Sequence, residues 1–192
     1  MKKIILFLIV FLATWAATGQ QASLSGTILR PDGTALVGIT VKLLDAQGQL
    51  VGATGVGGGG SYQFANLPAG QEYTVVPELQ GQPLLDVSTL DMVLGARHIL
   101  GLQLLDSPLK VLAADANLSN SLTTFDLVLI RQLILGMAGE FPVDWRFVRT
   151  TTQFQNPENP WMGVTGDSPS VLLEGDVSGF NFFALKIGDL SW

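Results

Sequence analysis

Oxygen-bearing side chains recur along the stretch "DANLSNSLTTFD" at its first, third, fifth, seventh, ninth and twelfth positions: Asp115, Asn117, Ser119, Ser121, Thr123 and Asp126. A calcium ion takes several oxygen ligands drawn from carboxylates, amides, hydroxyls, a backbone carbonyl and water. In a loop–helix site the first, third and fifth side chains turn inward and the seventh residue offers its carbonyl. The ninth often acts through water, and the twelfth closes the site from the first helical turn. The sixth position must turn sharply, and Asn120 is the best non-glycine residue for a left-handed turn there. Ser119 replaces an acidic fifth ligand and leaves two carboxylates, so one Ca2+ site of weak affinity is expected, in the ~10⁻⁴–10⁻³ M class. A simpler reading makes Thr123 an N-cap with Asp126 at the third helical position, near the positive end of the helix dipole. Capping accounts for Thr123 and Asp126 but not for the alternation of Asp115, Asn117 and Ser119.

The helix that must carry the twelfth position belongs to a duplication. "STLDMVLGARHILGL", starting at Ser88, aligns with "TTFDLVLIRQLILGM", starting at Thr123, at an offset of 35 residues. Identical pairs include Thr89/Thr124, Asp91/Asp126, Val93/Val128, Ile99/Ile134 and Gly101/Gly136. Each copy opens on a capping hydroxyl and stops at a glycine suited to a left-handed C-cap. Two short apolar helices so related bury their faces most simply against each other. The same offset places Gln80, Gln82, Leu84, Asp86, Ser88 and Asp91 at the six ligand positions of the first copy. Leu84 cannot ligate and the glutamines are poor replacements, so that loop is expected to be metal-free, with Asp91 a helix-terminal charge.

The chain begins "MKKIILFLIVFLATWAATGQ": two lysines, an apolar run from Ile4 to Ala13, then small residues. That is the order of a signal peptide, with Gln20 as the expected mature N-terminus and a secreted or cell-surface destination. The apolar run is short of the ~20 residues that span a bilayer, so no membrane span is expected after cleavage. Removing Lys2 and Lys3 leaves eight basic residues against 16 acidic ones, a formal charge of −8 in place of −6. An acidic chain without a basic patch lacks the footprint of a nucleic-acid binder. With no cysteine, no disulfide staples the fold.

From Ala22 to Leu79 short β-branched runs alternate with turn signals such as Pro31-Asp32-Gly33 and Pro68-Ala69-Gly70. In "GITVKLLD", Ile39, Val41 and Leu43 fall on one strand face and Thr40 and Lys42 on the other, the periodicity of a half-buried strand. Several such strands without a helical interruption predict a small antiparallel β-sandwich. The opening glycines Gly26 and Gly33, the strand-turn "GSYQFANLPAG" and the strand "YTVVPE" resemble carboxypeptidase-regulatory-like and Cna B-type domains of secreted proteins. The resemblance implies a prealbumin/Ig-like sandwich. Some relatives carry a Lys–Asn crosslink. None is expected here, because alternation turns Lys42 away from the core face and the last strand offers no clear Asn partner. Tyr62 and Tyr73 read as strand or core residues rather than sugar platforms.

With the apolar "KVLAA" before the loop and the duplicated helix after it, residues 80–139 resemble a dockerin repeat pair, which attaches secreted proteins to cohesin domains. The resemblance implies EF-hand-type loop–helix units, calcium in the second repeat and a cohesin-like or cell-surface partner. Dockerins often recognise cohesin through a Ser-Thr pair just before the last ligand. The matching pairs here are Thr89-Leu90 and Thr124-Phe125. Their apolar second residues fit either a more hydrophobic partner surface or the core, and core is the expectation taken for Leu90 and Phe125.

The expected organisation is thus multidomain β + α: a signal peptide at 1–19, a β-sandwich at 20–79, a dockerin-like module at 80–139, and a β-rich tail at 140–192 that pairs back onto the preceding modules. In the tail, "FPVDWRFVRT" and "GFNFFALKIGDLSW" read as strands, and "WRFV" with the later "KIGD" resembles the tail that follows dockerin-like pairs in secreted bacterial proteins. No catalyst is expected. His98 is the lone histidine, Asp167, Glu174 and Asp176 sit in a Gly/Ser/Pro-rich stretch, and no nucleophile elbow occurs. The function expected is calcium-stabilised protein–protein docking. The alternatives are a carbohydrate-binding accessory in polysaccharide degradation and a purely structural spacer.

Overall fold

The computed structural model describes residues 19–137, 141–163 and 168–192; residues 1–18, where the signal peptide is expected, and Asp167 lie outside them. Strands β1 (Gln21–Leu29), β2 (Thr40–Asp45), β3 (Leu50–Gly55), β4 (Ser61–Pro68) and β5 (Gln71–Glu78) come first. Helices α1 (Thr89–Ile99), α2 (Pro108–Ala114) and α3 (Thr124–Ile134) follow. Strands β6 (Trp145–Arg149), β7 (Ser170–Leu173) and β8 (Phe182–Lys186) complete the order, with a short 3-10 helix at Pro160–Gly163.

Alternation becomes burial. Ile39, Val41 and Leu43 are fully buried, while Lys42 points outward and pairs with Glu78 at 2.6 Å across the β2–β5 register. Among the described residues the strands form two four-stranded sheets, ordered β4-β1-β8-β6 and β3-β2-β5-β7. Most pairings are antiparallel; β1 and β8 run parallel. One core joins the sheets, with Leu24, Ile28, Phe64, Trp145, Phe147 and Phe182 facing Val41, Leu43, Tyr73, Val75 and Leu173. This is the arrangement of a β-sandwich.

The tail supplies strands to both sheets, so the three helices lie in sequence between β5 and β6. They cover the outer face of the sheet at β8 and β6. Phe182 and Ala184 point into the sandwich, whereas Phe183, Leu185 and Val148 join Leu112, Ala113 and Leu190 in a second core. Burial on both faces explains why "FNFFALKI" is almost continuously apolar. A third cluster packs α1 on α3 around Ile130, Leu133 and Ile187. Gly95 lets the helices approach closely, since a Cβ there would lie 2.7 Å from Leu127 Cδ2.

Candidate metal centre

The duplicated helices begin and end alike. Ser88 and Thr123 are N-caps whose hydroxyls accept the N–H of Leu90 and Phe125, each at 3.2 Å. The Asp91 and Asp126 carboxylates reach back to the N–H and hydroxyl of those caps at 2.7–2.9 Å, completing a capping box. Past the helices, Gly101 and Gly136 sit at φ 66° and 65°. There Leu102 and Met137 donate to the Arg97 and Gln132 carbonyls at 2.9 and 2.8 Å, a glycine-closed helix end.

The loop before α3 gathers the six candidate oxygen-bearing residues. Asp115 ends α2 and is fully buried; its Oδ1 accepts the Ser119 N–H at 2.9 Å and its Oδ2 the Asn120 N–H at 3.0 Å. Asn117 Oδ1 also accepts from the Ser119 N–H, at 3.0 Å. Ser119 and Ser121 hydroxyls lie 2.9 Å apart, and the Ser119 hydroxyl also donates to the Ser121 carbonyl at 3.3 Å. Asp126, buried like Asp115, closes the loop by accepting the Asn117 N–H through Oδ1 at 3.3 Å. Asn120 adopts φ 60°, the left-handed turn wanted at the sixth position, and Leu118 adopts φ 59°, which its residue type does not announce. Capping and loop closure therefore share Asp126, one oxygen serving each, rather than compete for it.

Burial raises the Asp115 carboxyl above its ordinary range and the nearby Asp126 charge raises it further, while backbone donors and Arg146 oppose. Both oxygens of Asp115 and both of Asp126 accept hydrogen bonds from within the loop and its cap. Among the described residues no group of three or more His, Cys, Asp and Glu could hold a metal, so any ion here would depend on the neutral oxygens. The first loop takes another path, with Gln82 and Asp86 in the left-handed region and Val87 buried beneath it.

Leu90 and Phe125 correct the expectation that they are core. They are 54% and 55% exposed, because capping turns the first helical residues outward while Asp91 and Asp126 turn in. Val93 and Val128, and Leu100 and Leu135, are exposed with them. Other candidates serve the fold. His98 Nδ1 accepts the Leu105 N–H at 3.0 Å, with burial lowering its pKa. Asp176 accepts the Ser23 N–H at 2.7 Å and so holds the start of β1, and Glu174 is exposed. The tyrosine rings are buried, their hydroxyls donating to the carbonyls of Phe180 (from Tyr62) and Pro68 (from Tyr73). Among the described residues no helix is long and apolar enough to cross a membrane. No protein-family model matches the chain, and no curated protein is significantly similar to it.

Proposed function

We propose that this is a secreted, non-catalytic attachment protein in which a β-sandwich presents a dockerin-like helical layer to a cohesin-like or other cell-surface partner. Calcium in the Asp115–Asp126 loop stabilises the layer on this reading. The observation that carries the docking proposal is the outward face repeated by the duplication: Leu90 with Phe125, Val93 with Val128 and Leu100 with Leu135, all exposed. Singly exposed apolar residues need no explanation, but a repeated set on paired helices matches the surface of an interaction site. Replacing both leading residues, Leu90→Asp with Phe125→Asp, should weaken partner capture about 100-fold. Because both side chains are solvated, thermal stability should stay within about 2 °C. Unchanged capture of a calcium-dependent partner from the secretome would refute the assigned face.

The calcium half of the proposal is tested by unfolding the chain from Gln20 onward in EDTA and in 10 mM CaCl2. A site in the expected affinity class adds about 1.4–2.7 kcal/mol at that concentration, or a rise in Tm of roughly 3–10 °C. Asp115→Asn is the better control than Asp115→Ala, because alanine would leave the Ser119 and Asn120 N–H groups without their acceptor. The asparagine variant should lose most of the calcium shift. No shift in the wild type at 10 mM would remove calcium from the reading.

A further inference from the structure

Asp91 and Asp126 are equivalent by duplication, and each closes on a segment in front of its helix. At Asp126 that segment is Asp115–Asn117. The 35-residue offset would supply Gln80 and Gln82 at Asp91, yet both are exposed. Instead Asp91 Oδ1 accepts the Leu190 N–H at 2.8 Å, from the far end of the described chain. The preceding residue, Asp189, is buried as Asp115 is. Its carboxyl is pushed up by burial and by the Asp91 charge, as that of Asp115 is by burial and the Asp126 charge. The Gly188 N–H donates to the Ala113 carbonyl at 2.8 Å, so the two segments are joined just before their aspartates. Asp189 thus stands to Asp91 as Asp115 stands to Asp126.

Asp189 is met by a cation from the end of β1, besides the charge of Lys186 on β8. Arg30, just past β1, donates from Nη2 to Asp189 Oδ2 at 2.7 Å and from Nη1 to Asp86 Oδ2. The Arg30 and Asp189 side chains are 12% and 2% exposed, whereas Asp86 is 46% exposed. The Asp189 contact therefore dominates, since solvent screens the other.

We infer that Arg30 is the resident cation of the α1 half of the helical layer. Its guanidinium, with Asp189 supplied by the Gly188–Ser191 segment, does for α1 what the calcium proposed above does for α3. The comparison with α3 rests on that calcium reading; the Arg30 brace does not. The layer is then half metal-independent: chelation loosens residues 115–126 and leaves 88–92 and 187–191 in place. Because Arg30 and Asp189 are 159 positions apart, the brace also fastens the helical layer to β1.

The test is peptide-level hydrogen exchange on the chain from Gln20 onward, as wild type, Arg30→Met, Arg30→Lys and Arg30→Met with Asp189→Asn, each in EDTA and in 10 mM CaCl2. Arg30→Met should speed exchange about 10–100-fold at residues 88–92 and 187–191 in both conditions. Arg30→Lys keeps the charge and should recover part of the protection. Asp189→Asn should also recover part, because it removes the carboxylate left unpaired. Unchanged exchange at 187–191 in Arg30→Met would overturn the inference, and so would a double variant no better protected than Arg30→Met, which would make Arg30 a packing residue. Should Arg30→Met not fold, the lysine variant and the double variant carry the same comparison. Failure of the calcium reading would register separately, as no calcium effect at 115–126 in the wild type.

Discussion

Gly26→Ala should be among the most damaging single substitutions in this chain, costing about 3 kcal/mol or more and lowering Tm by roughly 6–12 °C. Gly26 lies mid-way along β1, opposite Tyr62 on β4. A Cβ there would meet the Phe180 carbonyl oxygen at 2.3 Å and its carbon at 2.6 Å. Neither atom belongs to a side chain that could rotate away. The carbonyl is held by the Tyr62 hydroxyl at 2.5 Å, and the Phe180 N–H donates to the Ser25 carbonyl at 3.0 Å. The added methyl must push the tail from β1 just before β8 starts, breaking the Tyr62 bond and straining the parallel pairing of Ile28 with Phe182. A loss of that size is a large part of a typical total of about 5–15 kcal/mol. Gly58→Ala is the control, with nothing near its Cβ and no left-handed backbone, and should be close to neutral. Thermal unfolding of the two variants decides the matter; a Gly26→Ala protein as stable as Gly58→Ala would mean that the tail does not cross β1 there.

Such contacts divide what the sequence reveals from what it conceals. Local features were legible. The alternation of Ile39, Val41 and Leu43 gave a core face, the hydroxyls of Ser88 and Thr123 gave helix starts, and Gly101 and Gly136 gave helix ends. Asn120 announced its left-handed turn by residue type. Gly26 did not announce its purpose, because its neighbour Phe180 lies more than 150 residues away. Strand character in "FNFFALKI" was visible, but a run buried on both faces does not say which faces cover it. Leu90 and Phe125 looked like core because an outward apolar residue and an inward one are spelled the same way. Only the capping geometry decides between them. Arg30 lies in the turn "LRPDG" and Asp189 just past the last strand, and neither residue's surroundings in the sequence point to the other. Their pairing depends on the helical layer folding over the sheet, which no local pattern encodes.

Lys186→Met should destabilise the protein by about 3–5 kcal/mol near neutral pH, although the substitution places a hydrophobic side chain in a buried position. Two effects oppose each other. Burial of the ammonium is costly, and it holds the Lys186 pKa below its ordinary 10.5 against the pull of Asp144. Removing the charge relieves that cost. It also strips Asp144 of its cation: Nζ lies 3.7 Å from Asp144 Oδ1 and donates to the Asp144 carbonyl at 3.1 Å. The Asp144 side chain is only 9% exposed, and among the described residues Oδ1 has no hydrogen-bond donor. The rings of Phe141 and Trp145, 5.7 and 5.8 Å from Nζ, add attraction that methionine forfeits. An unpaired buried carboxylate outweighs a relieved ammonium, so the single variant loses. The double variant Lys186→Met with Asp144→Asn leaves neither charge and should recover most of the deficit. The pH dependence gives an independent check. With its folded pKa lowered, Lys186 holds fewer protons in the native chain than in the unfolded one between that value and 10.5. Wild-type stability should therefore rise with pH across the window, relative to Lys186→Met, which lacks the titrating group. If denaturant unfolding gives parallel pH profiles for the two proteins, burial is not shifting this lysine. If the single variant matches wild type at neutral pH, the Asp144 contact is not holding β6 to β8.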